Sequence, residues 1–326
     1  MVQVFRKNWF VFTLLLLPYT VVIRISAFFD SPQWPYPIGD QSPVYQYFEQ
    51  FFPETYSMNV LVASVLIFFN AAQINNIVIK NRVARDINLF PGMVFIILSA
   101  LHKDMFWVSP QLIAITFLLM GVSNIFRIYQ KPMASRYIFN AGFFTGISTL
   151  FYFPYLIFLV FMFISILILR RFKLIDLFQL FTGFGLVFFF LAFLLFWNNL
   201  DYNIFLLFKG QFKWSLGFKA YKLNEYLIFG SIVALIIMSM SNYRKFTIKK
   251  SIQSQKKVNL VYWIMIFGLL SLPFTPTSLV FPSLLAVFIS FSIFIGMIMT
   301  RSRNETALEL IHLFVLFFII FSHFWY

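Results

Sequence analysis

The chain has 326 residues, 61% hydrophobic and 11% charged, with a mean hydropathy of +0.84 and a formal net charge of +14. Soluble domains carry about 25% charged residues, so this composition excludes an ordinary soluble globule. Apolar stretches of membrane-crossing length recur from end to end, and residues 1–326 read as a single transmembrane domain. The positive charge does not point to nucleic acid. The basic residues sit in short clusters between apolar runs, as the positive-inside rule produces. The absence of Cys excludes disulfides, thiolate nucleophiles and thiolate metal sites. The 49 Phe residues suit a lipid-facing surface and carry no functional reading of their own.

Arg6 and Lys7 precede a first apolar run over about residues 9–28. Its length and the poor cleavage site at Ile25-Ser26-Ala27 predict an uncleaved span with the N-terminus in the cytoplasm. Pro18 should kink it. Arg24 lies near its outer end, placed to snorkel or to pair with a carboxylate. The acidic loop 30–56 follows. It holds four of the eleven acidic residues, Asp30, Asp40, Glu49 and Glu54, and no Lys or Arg. Within it, Val44 to Phe52 is expected to form a short helix on the membrane surface.

A second span is expected over Met58–Ile79, with Asn70, Gln73, Asn75 and Asn76 as interhelical glue in its inner half. Spans three and four, Leu89–Leu101 and Ser109–Phe126, are short and are joined through His102, Lys103 and Asp104. Spans five and six meet at Pro154, and Gly142 and Gly146 mark a packing face on the fifth. A seventh ends near Trp197. A second outer loop, 198–225, carries Lys209, Lys213, Lys219 and Lys222. An eighth span leads to the basic loop 243–258, and three more follow. The reading is an all-α polytopic protein of about eleven transmembrane helices, N-terminus in and C-terminus out, in a bacterial inner (plasma) membrane. Nineteen of the 25 Lys and Arg then fall on the cytoplasmic side.

Several candidates for chemistry emerge. Asp30 and Asp40 stand at the membrane boundary after the first span. A carboxylate there can act as general base toward an acceptor hydroxyl, or hold a divalent metal ion against a lipid-linked phosphate. The same acidity also follows if Lys and Arg are simply retained on the other side. His102 and Asp104 fall on the side of Asp30, as a second part of the site or as a solvated turn. Arg24, Lys209 and Lys213 can neutralise a phosphate, or hold anionic membrane lipids. Glu305, Glu309 and His312 share the last span, as a proton relay or as a helix start with a structural histidine. No phosphate-loop, dinucleotide, zinc-protease or serine-hydrolase motif is present.

The acidic loop after span one, the short spans three and four, and the segment Asn140 to Leu150 after a basic turn resemble the C-type (GT-C) glycosyltransferases. The resemblance covers about residues 9–170. It implies a polyprenyl-phosphate-linked sugar as donor, Asp30 or Asp40 as catalytic carboxylate, and Asp104 as an assistant in metal or donor binding. The adjacent acidic pair common in that loop is missing, and no large outer domain follows the last span. The chain also resembles bacterial integral membrane proteins of similar length, a resemblance that implies no activity. The alternative is non-enzymatic: a transporter, or a membrane subunit or scaffold of an envelope assembly or export machine with membrane-protein partners. The scarcity of ionisable groups at mid-span disfavours a coupled transporter and leaves the scaffold open.

Overall fold

The computed structural model describes residues 2–6, 10–29, 42–51, 55–84, 86–198, 208, 223–248, 250–274, 280–302 and 304–324. Among these residues every regular element is helical, as the composition predicts. The principal helices are α1 (Leu16–Ile23), α2 (Pro43–Glu49), α3 (Tyr56–Lys80), α4 (Phe90–Leu98), α5 (Pro110–Ile125) and α6 (Ser135–Phe151). They continue as α7 (Ile157–Leu169), α8 (Leu174–Trp197), α9 (Leu223–Ser241), α10 (Ile252–Ser271), α11 (Leu285–Arg301) and α12 (Glu305–Phe324). Three stretches are long and apolar enough to cross a bilayer: Tyr56–Lys80, Leu174–Trp197 and Ile252–Phe274. Shorter apolar helices run over Val11–Ile23, Pro110–Ile125, Phe153–Leu169, Tyr226–Ser241 and Leu285–Arg301.

Local chemistry sets the helix starts and breaks. Ser42, Ser109 and Ser251 each cap a helix by accepting from the backbone N–H three residues on. Pro110 follows its cap at the first helical position, where a missing N–H costs nothing. The first apolar run breaks at Leu15, between the helix Phe10–Leu14 and α1. Pro18 has no N–H to offer the Leu14 carbonyl, so the break falls one turn before the proline. Pro154 likewise converts the link between α6 and α7 into a 3-10 turn, Phe153–Leu156.

Small residues let the helices approach closely. A β-carbon at Gly142 in α6 would lie 2.1 Å from the Leu180 carbonyl of α8. One at Gly183 in α8 would lie 2.2 Å from the Phe139 carbonyl of α6. Gly146 continues the same line against Val187. The expected packing face is therefore present, and its partner is the reciprocal glycine Gly183. On the other side of α6, Gly121 of α5 faces Ala141 and Thr145. Gly296 of α11 abuts Pro91 of α4, and Gly92 of α4 abuts Asn75 and Ala71 of α3. Asn75 also accepts from the Gly92 N–H at 2.7 Å, so it is interhelical glue as expected. Asn70 is fully buried, and its side-chain polar atoms meet no hydrogen-bond partner among the described residues.

Helix α4 is the hub, packed against α3 and α11, and all nine of its residues are buried. Helix α8 is its opposite. It shows solvent or lipid most of its surface and buries Asp176, Leu180, Gly183 and Val187. Its start is tied down by a buried ion pair, with Arg170 Nε 3.3 Å from Asp176 Oδ2. Helix α12 is held at both levels of the first run. Glu305 pairs with Arg6, and His312 Nε2 lies 2.8 Å from the Tyr19 hydroxyl with the rings stacked. The histidine contact is a structural tie between two helices.

Candidate functional site

The site is built where short α4 ends beside long α3. The Gly92 N–H to Asn75 bond fixes their register at one end. At the other, the Val108 N–H donates to Asn59 Oδ1 at 2.8 Å. Between these levels α3 is continuous helix, but α4 stops at Leu98. Antiparallel progression puts Ser99 about level with Phe68, roughly 14 Å short of Asn59 along α3. Residues 99–109 cover that distance without α-helix, with one 3-10 turn at Lys103–Met105. The nine-residue α4 thus leaves an irregular polar segment inside the layer that α3 traverses. The short apolar runs over Leu89–Leu101 and Ser109–Phe126 form the short helices α4 and α5, and this segment is what joins them.

Arg24 fills the base of this segment. Helix α1 ends at Ile23 and the chain tightens into a 3-10 turn, Ile25–Phe28, which turns the Arg24 side chain inward. It does not snorkel, and among the described residues no carboxylate pairs with it. It is fully buried. Its Nη2 donates to the Ser99 carbonyl at 3.0 Å and to Ser99 Oγ at 2.9 Å. The Ser99 hydroxyl spends its own proton on the Ile96 carbonyl, so a lone pair is left for the guanidinium. The guanidinium carbon sits 5.7 Å from the centre of the Phe106 ring. Nε and Nη1, with three N–H donors between them, have no acceptor among the described residues. Buried donors of a charged group are costly to leave unmade.

His102 and Asp104 lie on the same segment. His102 stacks on Phe281 with ring centroids 3.8 Å apart. Its Nδ1 accepts from the Asp104 backbone N–H at 3.1 Å, while Asp104 Oδ2 approaches the same nitrogen at 3.4 Å. One ring nitrogen cannot serve both. Accepting the backbone N–H makes Nδ1 the unprotonated nitrogen, so the arrangement is a capped turn with a carboxylate beside it, not an ion pair.

Helix α2 forms as expected and roofs this region. Tyr45 is buried and donates its hydroxyl proton to the Val108 carbonyl at 2.7 Å. Tyr47, Phe48 and Phe51 are exposed on its other side. Burial pushes the Glu49 carboxyl above its ordinary range, and burial followed by the nearby Glu49 charge pushes up the Tyr45 phenol. At the α6–α7 turn, Tyr152 Oη lies 3.0 Å from Ser283 Oγ.

Of the residues singled out in the sequence, Arg24, His102 and Asp104 fall in one neighbourhood around residues 99–109. Asp30, Asp40, Lys209 and Lys213 lie outside the described residues. Ser99, Tyr45 and Phe281 were not singled out, and Glu49 was named only among the acidic residues of its loop. Of the first three only Ser99 left a trace, as a polar residue at the edge of an apolar run. Among the described residues no three His, Asp or Glu side chains gather as metal ligands. His102 with Asp104 brings an imidazole and a carboxylate together. Compared with protein-family models, curated proteins and solved structures, the chain matches none.

Proposed function

We propose that this chain is a polytopic inner-membrane enzyme of glycosyl transfer, resembling the GT-C enzymes, that acts at the outer face on a polyprenyl-phosphate-linked sugar. The observation that carries the reading is Arg24, a buried guanidinium at the foot of a non-helical segment, with three donors that meet no acceptor among the described residues. Irregular backbone at membrane depth is tolerated where it is buried in protein or lines a polar cavity. An ionisable group there is a functional candidate by default. A guanidinium is also the side chain best matched to phosphate oxygens. In the reaction, an acceptor hydroxyl attacks the sugar's anomeric carbon. The bond from that carbon to the phosphate oxygen breaks, and its electrons leave with the phosphate. Arg24 stabilises this charge. The hydroxyl proton passes to a carboxylate, Asp30 or Asp40, with Asp104 beside the donor.

The carboxylates are tested by complementing a deletion strain, with protein level measured alongside. Asp30→Asn or Asp40→Asn should abolish function at unchanged protein level, and Asp104→Asn should reduce it. Glu54→Asn should matter far less. Full function from both Asp30→Asn and Asp40→Asn would remove the enzymatic reading and leave the non-enzymatic scaffold.

The orientation is N-terminus in the cytoplasm, with about eleven crossings and the clusters at 80–88, 127–136, 170–173 and 243–258 inside. With no native Cys, a single introduced thiol reports its own side. Phe51→Cys, at a position 69% exposed, should react with an impermeant maleimide in intact cells. Met133→Cys, at a position 88% exposed, should react only after lysis. The reverse pattern would invert the topology and move Arg24 to the wrong face for this chemistry.

A further inference from the structure

The end of the bundle opposite Arg24 holds a second site. Four stretches far apart in sequence meet there: the helix Val2–Arg6, the α3–α4 link, the α9–α10 link and the C-terminal end of α11. They enclose a cavity of about 840 Å³. Among the described residues Arg6, Arg82, Lys245, Lys250 and Arg301 line it together with the Asp86 carboxylate, and Arg6 is the one of these cations paired with Glu305. Ala84, Ile248 and Met297 give it apolar wall, and Thr300, Ser254 and Ser302 add hydroxyls.

A positive-inside bias explains why basic residues lie at this end. It does not explain why they converge. Cations with only that role lower their repulsion by spreading into solvent. Here Lys250 is half-buried and spends a proton on the Val83 carbonyl, and Arg301 donates to the Lys245 carbonyl. Both cations are thus pinned by backbone oxygens beside one another. Burial, and then the Arg301 charge, pulls the Lys250 ammonium down to about 8. Arg82 holds a left-handed backbone with φ of 50°, uncommon for a residue with a side chain. Strained backbone and crowded like charges both cost folding energy, and both gather where a ligand repays the cost.

We propose that this cavity binds a phosphate-bearing anion. Its volume falls in the range of about 300–1,000 Å³ that organic ligands occupy. The apolar wall would take the body of such a ligand and the cations its phosphate oxygens. Two sources share this chemistry: a soluble pyrophosphate-type compound, and the headgroup of an anionic lipid. This site stands apart from the proposed transfer chemistry and does not depend on it.

The test uses the full chain, purified in neutral detergent for inorganic pyrophosphate and in nanodiscs for lipid. Calorimetry should show saturable pyrophosphate binding that Lys250→Gln and Arg301→Gln each weaken at least about tenfold. Arg171→Gln removes the same charge outside the cavity and should leave binding unchanged. In the lipid arm, nanodiscs of phosphatidylcholine with a minor share of phosphatidylglycerol are used. Wild type should retain more phosphatidylglycerol through delipidation than the two cavity variants. Binding of pyrophosphate alone assigns a soluble ligand, and selective lipid retention alone assigns a headgroup. A third measurement needs no variant. A lysine held near 8 acylates fast, so Lys250 modification by an amine-reactive reagent should slow when either probe is bound. If neither probe is held more tightly by wild type than by the cavity variants, or if neither protects Lys250, the proposal is overturned.

Discussion

Arg24→Met is expected to leave the protein folded, at equal or higher thermal stability, while abolishing function. Methionine matches the length of the arginine stem and packs against Phe106 without needing hydrogen bonds. Replacing a buried charge by an apolar side chain of similar size is often neutral, or stabilising by about 1–4 kcal/mol. Arg24 lends itself to this, because three of its five N–H donors have no acceptor among the described residues. The loss is confined to Ser99, whose hydroxyl keeps its bond to Ile96. If a phosphate oxygen normally takes the spare donors, function in complementation should fall by about 10²–10³-fold, the scale of losing one transition-state donor. Arg24→Lys should not restore it, since a lysine has one compact ammonium and no planar fork. Two measurements decide the matter: melting in detergent, and complementation at matched protein level. Function retained in Arg24→Met would reduce Arg24 to a packing residue. A collapse in melting temperature would make its Ser99 bonds structural.

Gly183→Ala should be strongly destabilising, as should Gly142→Ala across the same contact, whereas Gly185→Ala should stabilise slightly. A β-carbon at Gly183 would sit 2.2 Å from the Phe139 carbonyl, a main-chain atom that a rotamer change cannot move. The two helices must separate along their whole contact line. Overpacking of this kind costs about 1–3 kcal/mol and occasionally more. Two residues on, a β-carbon at Gly185 meets nothing within 4 Å. There alanine removes backbone entropy from the unfolded chain and stabilises by about 0.5–1 kcal/mol. Unfolding in detergent with increasing denaturant, monitored by Trp fluorescence, should order the three proteins G183A, wild type, G185A in rising stability. Equal stability of the two variants would mean that α8 does not rest on α6 as described.

These two positions show what a sequence exposes and what it hides. Gly142 and Gly146 announce a packing face by their spacing alone, because one helix carries both. Gly183 is the other half, and nothing local tells it from Gly185. Their difference is the rotation of α8 against a helix some forty residues earlier. Arg24 follows the same rule. Its charge near the end of an apolar run was plain. Its inward turn depends on Ser99, a residue 75 positions away. The short helices α4 and α5 were legible because apolar length is a local property. The convergence of Arg6, Arg82, Lys250 and Arg301 was not, because each belongs to a basic cluster that topology alone accounts for. Asp30 and Asp40 rest on their position after the first run and on the GT-C resemblance.

The placement of the short and long helices has a consequence for how the molecule meets lipid. Helix α4, about 14 Å long, is enclosed on every side, and α5 buries most of its length. The helices with apolar side chains turned outward, α8, α9 and α12, have 24, 19 and 20 residues and run roughly 28–36 Å. The thickness of an ordinary bilayer, about 30 Å, falls within this range. Hydrophobic mismatch is thereby uncoupled from the irregular segment inside. The surrounding lipid has no reason to thin around residues 99–109, because α4, which leads into them, is buried along its whole length. An irregular polar segment can be kept at depth without deforming the membrane that contains it.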